Sequence, residues 1–89
     1  MRVAGFEWDD ANSSHATRHG VSQDEIEETI EGASLVRKGK SGVYLAYGQT
    51  LDGRFVLVVF QRKERGMVRP FAARPMTYDE KGKLKRWLK

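Results

Sequence analysis

At 89 residues the chain is short enough that one domain spanning 1–89 is the expectation, and a domain of that size buries only about 60–65% of its unfolded surface. The absence of cysteine excludes disulfides and thiolate chemistry, no stretch approaches the ~20 apolar residues of a membrane span, and the opening MRVAGFEWDD has no signal-type apolar run, so the reading is cytoplasmic. The net charge of +4 is unevenly spread: residues 1–33 hold two basic and eight acidic residues, residues 34–53 three and one, and residues 54–89 eleven and three, which favours a polyanionic partner for the second half.

GFEW (5–8) reads as a short opening strand. Asp9 or Asp10 then caps a helix to about His19, because a carboxylate accepts from the free N–H groups of a first turn. Gly20 suits the left-handed residue after it. Ser22 with Glu25 forms a capping box, and Val21 and Ile26 form a hydrophobic staple. Ile26, Thr29, Ile30 and Ala33 share one face of this second helix, and Gly32 ends it. From residue 34 the apolar period drops from 3.6 to 2. SLVRKG (34–39) and VYLAYGQT (43–50) are strands, the second with Val43, Leu45 and Tyr47 on one face. LDGR is a hairpin turn. FVLVVFQR (55–62) is apolar on both faces at its start, so it belongs at the centre of the sheet. RKERG is a charged turn. MVRPFAA (67–73) is a strand at an edge or bulged, since Pro70 cannot donate to a ladder. Thr77 with Glu80 is a second capping box, opening a helix through Leu88 with Leu84, Trp87 and Leu88 as its apolar stripe. The order is β-α-α-β-β-β-β-α. The class is α+β, an antiparallel sheet with helices packed mainly on one face.

Two constellations carry chemistry. His15 and His19 stand at i, i+4, a spacing that suits a metal pair, but no third ligand or zincin glutamate accompanies them. His19 in a last helical turn also suits proton transfer. The second is Arg62, Lys63, Arg65, Arg69 and Arg74 interleaved with Phe60, Phe71 and Tyr78, with Lys81 beyond: guanidinium forks for phosphate and aromatic faces for unstacked bases. Arginines can also stabilise the charge that grows on phosphorus when a 2′-OH attacks it, with no metal or other cofactor. Residues 69 and 74 have opposite parity, so a regular strand sends them to opposite faces, and only a bulge near Pro70 or an early strand end unites them. GKSG (39–42) is no phosphate loop, because Leu35 stands where the first glycine is required.

FEWDDAN, H..RHGVS..EIEE, YLAYGQT, VLVVF and AARPMT, in this order ahead of a basic helix, resemble the BrnT family of small bacterial toxins over nearly the whole chain. The resemblance implies a RelE-like fold with a twisted antiparallel sheet. It implies an endoribonuclease that arrests translation and is neutralised by a cognate ribbon-helix-helix antitoxin, through which alone operator DNA is bound, with a homodimer or toxin–antitoxin hetero-oligomer as the assembly. The family's basic turn residue and the arginine of its A-R pair fall on Arg65 and Arg74, with Arg69 between them; on the leading reading of the residues these three clamp the phosphate and His19 transfers protons, with Glu64 or Tyr78 as substitutes. Arg62, Lys63, Phe71, Tyr78 and Lys81 bind RNA. The chain departs from the family pattern at Pro70 and at Ala73. The alternative is an inactive module that binds RNA or antitoxin. A third reading is a protein-interaction domain using the acidic face of 7–31.

Overall fold

The computed structural model describes residues 1–88. Five strands and three helices follow in the expected order: β1 (Gly5–Phe6), α1 (Asp10–Ala16), α2 (Gln23–Glu31), β2 (Leu35–Lys38), β3 (Val43–Gln49), β4 (Phe55–Arg62), β5 (Met67–Pro75) and α3 (Tyr78–Trp87). The sheet order is β1-β5-β4-β3-β2, so the most apolar strand is central. The pairs among β2 to β5 are antiparallel, whereas β1 runs parallel to β5. β1 reaches only Met67 and Val68 of β5. At the other edge, β2 ends the sheet and is mostly exposed.

Alternation along β4 builds two cores. Val56, Val58 and Phe60 are fully buried and pack with Val21, Ile26 and Ile30 under α1 and α2. On the other face Leu57 and Tyr47 pack with Met76 and Leu84 of α3. Two helices therefore share one face, and α3 crosses the opposite one. The stripe expected on α3 is buried only at Leu84: Trp87 and Leu88 are exposed, and Trp87 lies edge-on to Tyr47. Capping boxes at Asp9/Asn12, Ser22/Glu25 and Thr77/Glu80 start the three helices. α1 stops at Ala16 rather than near His19. There the Thr17 hydroxyl donates to Ser13 O at 2.7 Å, the competition that makes threonine a poor helix residue. Gly20 takes φ +82° after a short turn. α2 lies directly on β3: a Cβ at Gly48 would stand 2.8 Å from Thr29 O, so only glycine allows the approach.

The hairpins β2–β3 and β4–β5 turn in the same way. Ser41 and Gly42 have φ 58° and 78°, and Arg65 and Gly66 have φ 61° and 77°. Positive φ at both central residues is the requirement of the I′ turn, which normally takes Asn-Gly or Gly-Gly.

β5 carries a bulge. Val59 pairs with Ala72 and Phe60 with Pro70, leaving Phe71 unpaired. Where β1 ends, α1 takes over the edge of β5. The buried Asn12 amide donates to Glu7 O at 2.9 Å and to Pro70 O at 2.8 Å, and its oxygen accepts from Asp9 N at 2.7 Å. Asn12→Ala leaves a buried carbonyl without a donor. The expected cost is about 2–3 kcal/mol, read as a fall in the urea midpoint or a melting temperature lower by about 10 °C or more. A loss below about 0.5 kcal/mol, the range of a neutral surface change, would show that these bonds do not hold the bulge.

Candidate nucleic-acid interface

The bulge sets which way the arginines of β5 emerge. Arg69 pairs with Gln61 and Arg74 with Leu57. Gln61 and Leu57 have the same parity on β4, so Arg69 and Arg74 emerge on one face, the face that α3 crosses. Four residues of β4 separate their rows, about 13 Å at ~3.3 Å per residue. Between them lies a low floor, Ala72 opposite Val59, continued across the sheet by Leu45 and then Arg37. Val59, Leu45 and Ala72 are half-buried, so this stretch is open. Arg37, at its far side, lies 4.7 Å from the Trp87 ring centre.

Each of the two arginines has a carboxylate partner. The Arg69 guanidinium meets Asp9 at 2.9 and 3.1 Å and Glu7 at 3.4 Å, and so turns toward the start of α1. Arg69 and the Asn12 N–H hold the Asp9 carboxyl below its ordinary value. Arg74 turns toward α3, where it pairs fork to fork with Glu80 at 2.6 and 2.6 Å and donates to Pro75 O at 3.3 Å. That use leaves its Nε–H and one Nη2–H unspent. Glu80 also accepts from Thr77 N at 2.8 Å. Arg74 first, and the Thr77 N–H after it, lower the Glu80 carboxyl to about 2. The sequence pointed to bare cations, but the structure supplies each of these two with a counter-charge.

The remaining predicted residues are dispersed. Arg65 is exposed in its left-handed turn and has no ion pair among the described residues. Arg62 belongs to the opposite parity: its guanidinium lies 5.3 Å from the Tyr44 ring centre, on the α1–α2 face, away from Arg69 and Arg74. Lys63 stands with Glu7, Glu64 and Met67 around a shallow cleft. Tyr78 is 89% exposed in the first turn of α3, and Lys81 Nζ lies 5.6 Å from the Phe55 ring centre. His19 is exposed, and its side-chain partner is its neighbour Arg18, at 3.3 Å. It lies beside Gly20, whose carbonyl accepts from Arg54 at 3.4 Å, and among the described residues it makes no hydrogen bond to Arg65, Arg69 or Arg74.

The imidazole beside that edge is His15. It stacks on the bulged Phe71 with ring centres 5.6 Å apart, and its Nδ1 lies 2.7 Å from Phe71 O. A carbonyl only accepts, so Nδ1 is the donor toward Phe71 O, and in the neutral ring with that tautomer Nε2 is the nitrogen with the lone pair. His15, Gln61, Arg69 and Phe71 bound a cleft of about 230 Å³ with Ala11 and Asn12. The sequence offers His15 as half of a metal pair or, more often for such a residue, as a helix histidine bonded to backbone, and the bond to Phe71 O is of the second kind; its i, i+3 relation to Asn12 is the signal that both reach β5. In the sequence Glu80 and Asp9 carry only a capping signal. Among the described residues no three His, Asp or Glu side chains stand close enough together to hold a metal ion, and no helix is long and apolar enough to cross a membrane.

The Arg74–Glu80 pair predicts a pH dependence. Glu80 titrates lower in the fold than in the unfolded chain, so its contribution is complete above the ordinary value of 4.5 and is lost as pH falls toward about 2. Glu80→Gln keeps a capping residue but removes the charge. The variant is expected to melt below the parent at neutral pH, with the gap closing as pH drops through that window. A gap that stays constant with pH would mean that the ion pair adds no stability.

No protein-family model and no curated protein sequence matches the chain. Its fold is similar to the crystal structure of the Brucella abortus ribonuclease toxin BrnT, with a TM-score of 0.67 and 19% identity over 82% of this chain and 96% of that one. At that identity the likeness carries the fold.

Proposed function

We propose that this chain is an endoribonuclease toxin of the BrnT kind, cutting RNA at the sheet face that bears Arg69 and Arg74. The observation that carries the reading is the bulge at Phe71, which sends both arginines to one open face in a fold shared with a ribonuclease toxin. An RNA linkage lies over Ala72 and Val59. Arg74 donates its unspent N–H groups to a phosphate oxygen while Glu80 holds the fork in place. Arg69 and Arg65 supply further positive charge along the strand. As the 2′-oxygen attacks phosphorus, negative charge grows on the equatorial oxygens, and guanidinium groups fixed beforehand stabilise that charge without reorganising.

The reaction needs no metal on this reading. His15, rather than His19, takes the 2′-OH proton on Nε2. The O2′–P bond forms as the P–O5′ bond breaks, and the 5′-oxygen leaves with a proton from His15 or from water. The products are a 2′,3′-cyclic phosphate and a 5′-hydroxyl. In the cell the chain arrests translation in the cytoplasm until a cognate ribbon-helix-helix antitoxin covers it, and operator DNA is met only through that antitoxin.

One observation favours a second reading, a binding module without activity: both arginines already hold carboxylates, so a substrate phosphate must compete with them. Incubation of the purified protein with RNA and a chelator decides between the two. Cleavage to cyclic-phosphate ends supports the enzyme, and intact RNA at large protein excess supports the module.

Arg74→Ala is expected to lower cleavage by about 10²-fold or more, while it keeps the parent's circular dichroism spectrum and melts no lower than a variant that loses the same ion pair from the Glu80 side. Equal rates for variant and parent would remove Arg74 from the site. Arg65 gives a second check. Its left-handed backbone costs about 1 kcal/mol in a non-glycine residue, so Arg65→Asn should raise the melting temperature while lowering the cleavage rate. A stabilised variant that cleaves RNA as fast as the parent would leave Arg65 with no part in the reaction.

A further inference from the structure

We propose that the outer flank of α3 is a second RNA subsite, taking the single strand that runs off the cleavage face. The proposal rests on the RNA-cleaving reading above and assigns it a separate piece of surface. Between α3 and the start of β4 lies a cleft of about 670 Å³, bounded by Phe55, Tyr78, Lys81, Lys83, Lys85 and Arg86. That volume falls within the usual range of ligand sites. Four of those six residues are cations, against the single carboxylate of Asp79 in the same lining. Glu80, the other acid of the helix, is already neutralised by Arg74.

The aromatic content separates this cleft from an ordinary solvated helix face. Tyr78 leaves almost its whole ring in water, and Lys81 stands over the Phe55 ring. Stacking surfaces alternating with cations are what a sequence-tolerant grip on single-stranded nucleic acid requires. Gly82 agrees with this. Glycine inside a helix costs about 1 kcal/mol relative to alanine, yet a Cβ there would meet only the end of Arg86, at 3.9 Å. Nothing within the chain requires the small residue, whereas an entering strand gains close access to the helix.

The cleft is continuous with the cleavage face. Phe55 has the parity of Leu57, which pairs with Arg74, so it lies one row, about 7 Å, further along the same sheet face. Glu80, which meets Arg74, and Lys81, which stands over Phe55, are consecutive in α3. A strand held by Arg74 therefore enters the cleft by passing Tyr78 at the head of the helix.

The test uses 2′-O-methyl oligouridines, whose blocked 2′-oxygen cannot be cleaved. Binding of a 4-mer and a 12-mer is followed by fluorescence anisotropy for the parent and for Lys83→Glu/Lys85→Glu, two exposed positions whose exchange should leave the fold intact by circular dichroism. The parent is expected to hold the 12-mer at least tenfold more tightly than the 4-mer. The double variant should lose that advantage, and its log–log salt slope for the 12-mer should fall by about 1.4, the effect of two phosphates on a single strand. Oligoglutamate of equal charge should compete at least tenfold more weakly than the oligouridine. An undiminished length advantage in the variant overturns the subsite, and equal competition by oligoglutamate assigns the cleft to an acidic protein instead. A parent that cuts no RNA yet shows the length-dependent grip would sink the catalytic reading and leave this subsite standing.

Discussion

Everything on the candidate face depends on one extra residue in β5. Phe71 has no partner on β4, and because strand side chains alternate strictly, that single insertion moves Arg74 from the α1–α2 face to the face of Arg69. Pro70 makes this tolerable: it has no N–H to lose, and its carbonyl receives the Asn12 amide. The next carbonyl, that of Phe71, receives His15. An edge that β1 covers for only two residues is thus closed by two side chains of a seven-residue helix. The capping box that starts this helix uses Asn12 as well, so helix start, bulge and arginine direction form one mechanical unit.

The charges follow the same plan. Arg69 is tied to Asp9, the cap of α1, and Arg74 to Glu80, which also caps α3. Each carboxylate therefore serves a helix N-terminus, where negative charge is favoured, and a guanidinium at once. A long arginine chain loses considerable rotamer freedom when it is fixed; these pairs fix it before any ligand arrives. The same pairs neutralise part of the field a polyanion would feel. The long-range part of that field comes instead from cations with no ion pair among the described residues, such as Arg65 and the lysines of α3.

The element order was legible because each element carries local chemistry. Capping boxes at Ser22 and Thr77, the Asp-Gly turn and the doubly apolar FVLVVF run each mark an element within a few residues, and all four are where the sequence put them. The fold class also needed only the change of period at residue 34. The parallel pairing of β1 with β5 was not legible, since a two-residue strand carries no pattern of its own. The site was half legible. Pro70 signals a bulge, the condition for uniting Arg69 with Arg74, but the Asn12 amide that meets the Pro70 carbonyl comes from α1, and no strand pattern shows that contact. Arg62 falls outside the group because sequence proximity to Arg65 says nothing about parity. His19 was preferred to His15 because it sits nearer a helix end, whereas α1 in fact stops one residue after His15 and leaves His19 in the turn beyond.

At the far side of the molecule the sheet stops at β2, a strand of four residues whose outer rim pairs with no other strand among the described residues. A bare rim of backbone donors and acceptors invites another strand, and in most proteins it is a route to unwanted stacking. Here the rim closes on Arg37 and Lys38. Two copies approaching rim to rim in antiparallel fashion would bring four positive charges together before the first bond formed. Like charges at that rim oppose such pairing, the device by which charged residues protect an open sheet edge.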